Sequence, residues 1–161
     1  MKVLELDNFS IEREVKLADD TVEMVLEVDA YTRTLYPAEC CYGLQPRQLE
    51  DPQIHFFVIR ENGYPVACGG IKIFDDNADD CFTEVKRMYV RSQNRGKGLA
   101  RFLLQHLETL SKELGFHIMR LETGVKQPDA IALYEKMGFS RCPTYGDYAT
   151  NDVNLYYEKH I

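Results

Sequence analysis

The chain has 161 residues, of which 45% are hydrophobic, 11% aromatic and 28% charged, with a formal net charge of −7. This is one domain's length with enough apolar surface for a core, which excludes disorder as the main state, and no apolar run approaches the roughly 20 residues that cross a bilayer. The acidic excess excludes a general nucleic-acid binder. The N-terminal MKVLELDNFS, with acids at Glu5 and Asp7 and no apolar centre, does not read as a secretion signal.

Residues 9–18 partly alternate and predict a first strand. Asp20 or Thr21 is placed to cap a helix that runs to Leu35, with Pro37 as its stop. A short helical turn is expected after Pro46, over Arg47–Glu50. Ile54–Arg60 is rich in β-branched and aromatic residues, Asn62-Gly63 is a turn signal, and Pro65–Phe74 is the return strand. After the polar turn 75–80, Cys81–Val90 completes an antiparallel meander of three. Leu99, Phe102, Leu103, His106, Leu107, Leu110 and Leu114 then recur at helical spacing, and Gly115 ends that helix. Phe116–Thr123 follows as a strand parallel to Cys81–Val90, in a right-handed crossover. A second helix is expected over Asp129–Met137, then strands from Phe139 onward and over Val153–Glu158, joined by the tyrosine-rich loop 143–151. The fold class is mixed α/β, with one mixed sheet in a single domain.

Between Val85 and Arg101 the cations Lys86, Arg87, Arg91, Arg95, Lys97 and Arg101 occur without a single acid. A local cationic patch on an acidic body points to a small anionic ligand, although a solvated charge run is the plainer alternative. Here a strand ends at Val90, a loop carrying Gly96 and Gly98 follows, and a long helix begins. A helix start leaves backbone N–H groups free and carries partial positive charge, and glycines let a ligand approach the backbone. The segment is therefore expected to cradle phosphate, with Arg95 and Lys97 adding full charges. Neither the P-loop spacing nor Gly-x-Gly-x-x-Gly is present.

The five cysteines, Cys40, Cys41, Cys68, Cys81 and Cys142, are odd in number and lack Cys-x-x-Cys spacing, which predicts free thiols in a reducing cytoplasm. An acyl-cysteine at Cys81 or Cys142 has no evident histidine partner, and a packed thiol is the better reading. His106 falls on the apolar helix face and reads as a packed histidine. The four histidines are dispersed, so no metal is expected.

Gln93-Asn94-Arg95-Gly96-Lys97-Gly98-Leu99-Ala100, preceded by VKRMYV and followed by the leucine-patterned helix and AIALYEKMGF at 130–139, resembles the acetyl-coenzyme-A loop and the tyrosine-bearing helix of the GCN5-related N-acetyltransferase (GNAT) family. The resemblance covers Phe9 to the C-terminus in element order and is most specific over Glu84–Phe139, with a cofactor core at about 81–139. It implies a GNAT-like fold: a central, mostly antiparallel sheet with helices on both faces and splayed fourth and fifth strands. It implies acetyl-CoA as cosubstrate, its diphosphate on Gln93–Ala100 with Arg101 adjoining, and its pantetheine arm along Met88, Tyr89 and Val90. A strand amide of those three residues would polarise the acetyl carbonyl. Many members carry Asn before the second helix; Gln127 and Asp129 are nearest here, and Gln127 is assigned to the cofactor. Tyr134 would lie by the thioester sulfur.

Acetyl transfer to an ammonium with a pKa near ~10 needs a proton acceptor. Glu84 resembles the strand glutamate that some members use as base; alternatively it pairs with Lys86 or Arg87. Strict alternation puts Glu84, Lys86, Met88 and Val90 on one face and Val85, Arg87 and Tyr89 on the other. Tyr134 would hydrogen-bond the departing thiolate, or else is a core aromatic with Ile131 and Leu133. Tyr31, Tyr36, Tyr145 and Tyr148 are expected to bind substrate, an amine-bearing small molecule or peptide, with acids and aromatics suiting a cation. The competing readings are a non-catalytic acyl-CoA sensor and a nucleic-acid module on the basic strand and loop. Family habit suggests a homodimer through an exposed edge strand near Val153–Glu158.

Overall fold

A computed structural model describes residues 8–161, so Glu5 and Asp7 lie outside the described residues. Seven strands form one sheet: β1 (Phe9–Arg13), β2 (Ile54–Glu61), β3 (Tyr64–Phe74), β4 (Phe82–Val90), β5 (Ile118–Gly124), β6 (Ser140–Arg141) and β7 (Asn154–His160). The helices are α1 (Asp19–Leu35), α2 (Leu99–Glu113) and α3 (Pro128–Lys136). Short 3-10 turns occupy Ala38–Cys40, Pro46–Glu50 and Ser92–Asn94.

The sheet order is β1-β2-β3-β4-β5-β7-β6, antiparallel except for the parallel β4–β5 pair. The β2–β3 turn has both Asn62 (φ 51) and Gly63 (φ 83) left-handed, a tight hairpin geometry that follows strand twist. Period-2 alternation along β2 sends Phe56 and Val58 to the α1 side, against Met24, Val25 and Leu49. Phe57 and Ile59 go to the α2 side, against Leu103, Leu104 and Leu107. Helices thus cover both faces, as expected.

Several boundaries differ from the sequence expectation. β1 stops at Arg13, and α1 begins two or three residues early, with Ala18 at its cap. Neither Asp20 nor Thr21 caps it. The carboxylate of Glu14 instead accepts from the Ala18 amide (3.0 Å) and the Thr21 hydroxyl (3.0 Å), while Asp20 pairs with Arg60 (2.7 Å). β7 is not the sheet edge: β6 pairs with it at Tyr157 and Glu158.

Two irregularities of β4 position the site. First, β4 and β5 pair only through Thr83, Val85 and Glu84 with Met119, Leu121 and Arg120. Beyond Val85 the two strands separate, so Lys86–Val90 and 122–124 face a gap. Second, β4 carries a bulge. Cys68 pairs with Tyr89 and Gly70 with Lys86, so Arg87 and Met88 both oppose Gly69. Arg87 takes the left-handed conformation (φ 56), which a non-glycine residue rarely adopts. The extra residue overturns the expected alternation. Val85, Met88 and Val90 pack on the α2 side, while Tyr89 packs on the α1 side.

Candidate active site

The gap between β4 and β5 opens into two cavities. One is a groove of about 440 Å³ along the end of β4, the 91–98 loop, the start of α2 and the start of α3. The other, about 240 Å³, lies toward the end of α1, the 38–45 segment and β7. Val28, Thr32, Met88, Gln127, Ala130 and Tyr134 line both. The two spaces therefore meet at Tyr134 and the β4 bulge.

The groove has the chemistry of an anion cradle. Gly96 (φ 77) and Gly98 (φ 82) are left-handed, and α2 starts at Gly98 with no side chain capping it. The first-turn amides of α2 are left available to a ligand. Of the residues assigned to the cofactor, all except Gln93 and Lys97 line this groove. Gln93 is exposed beside it. Lys97 turns away to Glu61 on β2 (3.2 Å), because that carboxylate lies across the loop. Glu61 also accepts from the side chain of Asn94 (2.9 Å), so Asn94 anchors the loop as well as lining the groove.

The cationic run of the sequence is thus divided by the fold. Arg91 pairs with Glu27 (2.9 Å) and Lys97 with Glu61. Arg95 and Arg101 remain on the groove, with no acidic partner among the described residues. Lys86 and Arg87 line the second cavity instead.

Tyr134 is buried, and its hydroxyl has no hydrogen-bond partner among the described residues. Burial, with the charge of Glu122 nearby, pushes the phenol above the ordinary tyrosine range. It stays protonated and available as a donor at the junction.

Glu84 is 1% exposed and does not line the second cavity. It accepts hydrogen bonds from the hydroxyls of Tyr145 (2.5 Å) and Tyr148 (3.0 Å) and contacts the Lys86 ammonium. The pairing with Lys86 is as expected; Arg87 instead bonds Asp29 on α1 (2.5 Å) and the Leu44 carbonyl (2.9 Å).

Two carboxylates do line the cavity: Asp29 on α1, which is bonded to Arg87, and Glu122 on β5, which was not among the residues expected at the site. Burial pushes the Glu122 pKa up to about 7, against the side-chain hydrogen bond donated by Asn154 (2.5 Å) and the charge of Lys86. The available sequence signal was a lone carboxylate near the end of a strand parallel to the one that carries Glu84.

The four tyrosines expected at the substrate do not act alike. Tyr148 and Tyr36 line the acceptor-side cavity. Tyr36 uses its hydroxyl to accept from the Lys126 amide (3.0 Å) and donate to Gln127 (3.3 Å). Tyr31 is 45% exposed on the groove side, because it shares the helix face of Val28 and Thr32. Tyr145 packs behind the cavity among Phe82, Tyr148 and Tyr156. Tyr31 and Tyr145 thus do not line the smaller cavity. Among the described residues no cluster of His, Cys, Asp and Glu is arranged to hold a metal, and no helix is long and apolar enough to cross a membrane.

Comparison with known proteins places these features. A family model described as "Acetyltransferase (GNAT) family" matches residues 20–139. A protein named IAA acetyltransferase from Azospirillum brasilense is 38% identical over 156 residues, covering 97% of this chain and 100% of that protein. A Bacillus subtilis relative named only as an uncharacterized N-acetyltransferase is 28% identical over 127 residues, 78% of this chain and 82% of its own. The fold matches Arabidopsis thaliana Naa50, solved in complex with a bisubstrate analogue, with a TM-score of 0.66 at 15% identity over 96% of this chain and 99% of that one.

Proposed function

The chain belongs to the GNAT family of acetyltransferases, and from that premise we propose that it transfers acetyl directly from acetyl-CoA to the amine of a small acceptor. The observation that carries this reading is the junction at Tyr134. An anion-cradling groove and a separate cavity with a titratable carboxylate meet there, at the gap between β4 and β5.

The fit to acetyl-CoA rests on the uncapped α2 start, the two left-handed glycines, and Arg95 and Arg101 on the groove. Along Met88, Tyr89 and Val90 the strand edge has no β5 partner, so its main chain is free to bind an extended arm and to polarise the acetyl carbonyl. Bound there, acetyl-CoA supplies the activated thioester.

The base in this reading is Glu122 rather than Glu84. Glu122 faces the cavity with a pKa of about 7, whereas Glu84 is enclosed by Tyr145, Tyr148 and Lys86. Glu122 takes a proton from the acceptor ammonium. The freed amine forms the new C–N bond as the C–S bond breaks; the electron pair leaves with sulfur, and the second proton shed by the nitrogen ends on the thiolate. Tyr134 donates a hydrogen bond to that sulfur. Its raised pKa makes it a stabilising donor, since full proton transfer to a thiolate of pKa roughly 8.5 is uphill. The products are an amide and CoA.

A cytoplasmic setting is supported by five cysteines without Cys-x-x-Cys spacing. For a homodimer, the exposed β6 edge is the available pairing strand. The reading is tested by titrating the protein with acetyl-CoA in a calorimeter, then following thiol release with a panel of amines. Saturable binding and amine-dependent thiol release are expected. A folded protein that gives neither heat nor thermal stabilisation with acetyl-CoA overturns it. Binding without turnover on any amine would instead favour an acyl-CoA sensor.

A further inference from the structure

The charges lining the acceptor cavity do not match a simple cationic amine. Three cations, Arg33, Lys86 and Arg87, line it against two carboxylates, Asp29 and Glu122. Asp29 is already bonded to Arg87, and burial pushes the Glu122 carboxyl up to about 7. Glu84, the partner of Lys86, lies behind the wall. With these pairs cancelling, Arg33 stands against Glu122, so the space carries little net negative charge and a purely cationic molecule gains little by entering it.

Arg87 is the best-built of these cations. Its side chain is 5% exposed. Nε donates to the Leu44 carbonyl and Nη2 to Asp29, which fix the guanidinium plane, while Nη1 bonds nothing among the described residues. Gly43 makes room for it: a Cβ at residue 43 would collide with the guanidinium. The Arg87 backbone sits at the β4 bulge in a left-handed conformation. A costly backbone state, a missing side chain opposite and two anchoring bonds together hold the guanidinium in the cavity wall with its Nη1 donors unengaged among the described residues. A guanidinium held this way suits a carboxylate.

The cavity is also small and strapped. About 240 Å³ is below the usual range for drug-sized ligands, roughly 300–1,000 Å³. Behind Tyr36, one wall of the cavity, Lys126 ties the end of β5 to α1, its Nζ donating to the Leu35 carbonyl (3.0 Å) and its amide to the Tyr36 hydroxyl. On the far side Asn154 donates to the Cys40 carbonyl (3.0 Å), and the Tyr42 and Tyr148 rings meet edge to face at 4.8 Å.

We infer that the acceptor is an amino-acid-type molecule, with amine and carboxylate on one small frame, and that Arg87 binds the carboxylate while the amine faces Glu122. This rests on the acetyl-transfer reading above. Asp29 acts as a positioning residue, holding the guanidinium plane.

The test compares L-amino acids with their primary amides and with the decarboxylated amines, using the full chain, acetyl-CoA and thiol release. The free acids are expected to exceed the amides in kcat/KM by on the order of 10²-fold, the size of a charged hydrogen-bond pair. In Arg87→Gln that ratio falls toward one, because the acids lose more than the amides. Gly43→Ala, which displaces the guanidinium from outside it, moves the ratio in the same direction. A merely structural Arg87 would lower both substrate classes alike. Acids no better than amides with the parent protein overturn the inference while acetyl transfer stands. So does an unchanged ratio in a folded Arg87→Gln, with Gly43→Ala deciding if that variant does not fold. Amino acids left untouched while other amines react also overturn this inference alone. Loss of acetyl-CoA binding itself would instead mark failure of the underlying reading.

Discussion

The phenol of Tyr36, at the end of α1, lies directly against the backbone of Gly124, at the end of β5, in the space a side chain there would fill. Its hydroxyl bonds the main chain of Lys126 and the side chain of Gln127 on the segment that leads into α3. One ring therefore ties the acceptor side of the site to the segment that carries Gln127 and Tyr134.

Gly124→Ala drives a methyl group into that ring. Overpacking of this kind costs about 1–3 kcal/mol. The expected result is a lower unfolding temperature and a raised KM for acetyl-CoA, because the start of α3 shifts with Tyr36. Thermal unfolding and cofactor titration check both. A variant with parental values for each would show that Tyr36 repacks freely.

Glu122 gives the reaction a pH dependence of defined sign. A base must be deprotonated, so kcat/KM should rise with pH and level off above about 7. Stability should move the other way. The folded-state pKa is raised from 4.5 to about 7, so within that window the folded chain holds a proton that the unfolded chain has released. This group's contribution to stability therefore declines as pH rises from about 4.5 through 7. Glu122→Gln is expected to flatten the rate limb, lower kcat by about 10²–10⁴-fold and be more stable than the parent at pH 8. A parental pH–rate profile in that variant would assign the base elsewhere.

Glu84→Gln separates support from catalysis. It leaves the half-buried Lys86 ammonium without its carboxylate, and breaking a buried pair costs about 3–5 kcal/mol. A clear loss of thermal stability is expected, together with loosening of the 142–153 loop that Tyr145 and Tyr148 tie down. The pH–rate limb near 7 should persist. Full stability with abolished turnover, alongside an active Glu122→Gln, would exchange the two roles.

Tyr134→Phe removes the one polar atom of that ring and leaves its packing against Phe139. kcat is expected to fall at least about tenfold, a loss of roughly one charged hydrogen bond in the transition state, with the Kd for acetyl-CoA unchanged. Calorimetry and a chemistry-limited rate measurement separate the two quantities. Equal kcat values would make the ring a packing residue alone.

Much of this site could be read locally. The Gly96–Gly98 loop, the leucine spacing of α2 and the Gly115 stop are set by neighbouring residues, through backbone conformation and helical periodicity. So the glycine-bearing loop, the crossover and the placement of Tyr134 on a short helix were all legible along the chain. Tertiary structure decided the rest. A single bulged residue at Arg87 reversed which β4 side chains share a face, and nothing in VKRMYV announces the bulge opposite Gly69. Glu122 rather than Glu84 reaches the cavity because Tyr145 and Tyr148, more than sixty residues away, fold over Glu84 and take its oxygens. Charge, alternation and helix spacing are properties of nearby residues; which carboxylate stays open to a ligand depends on what packs across the sheet.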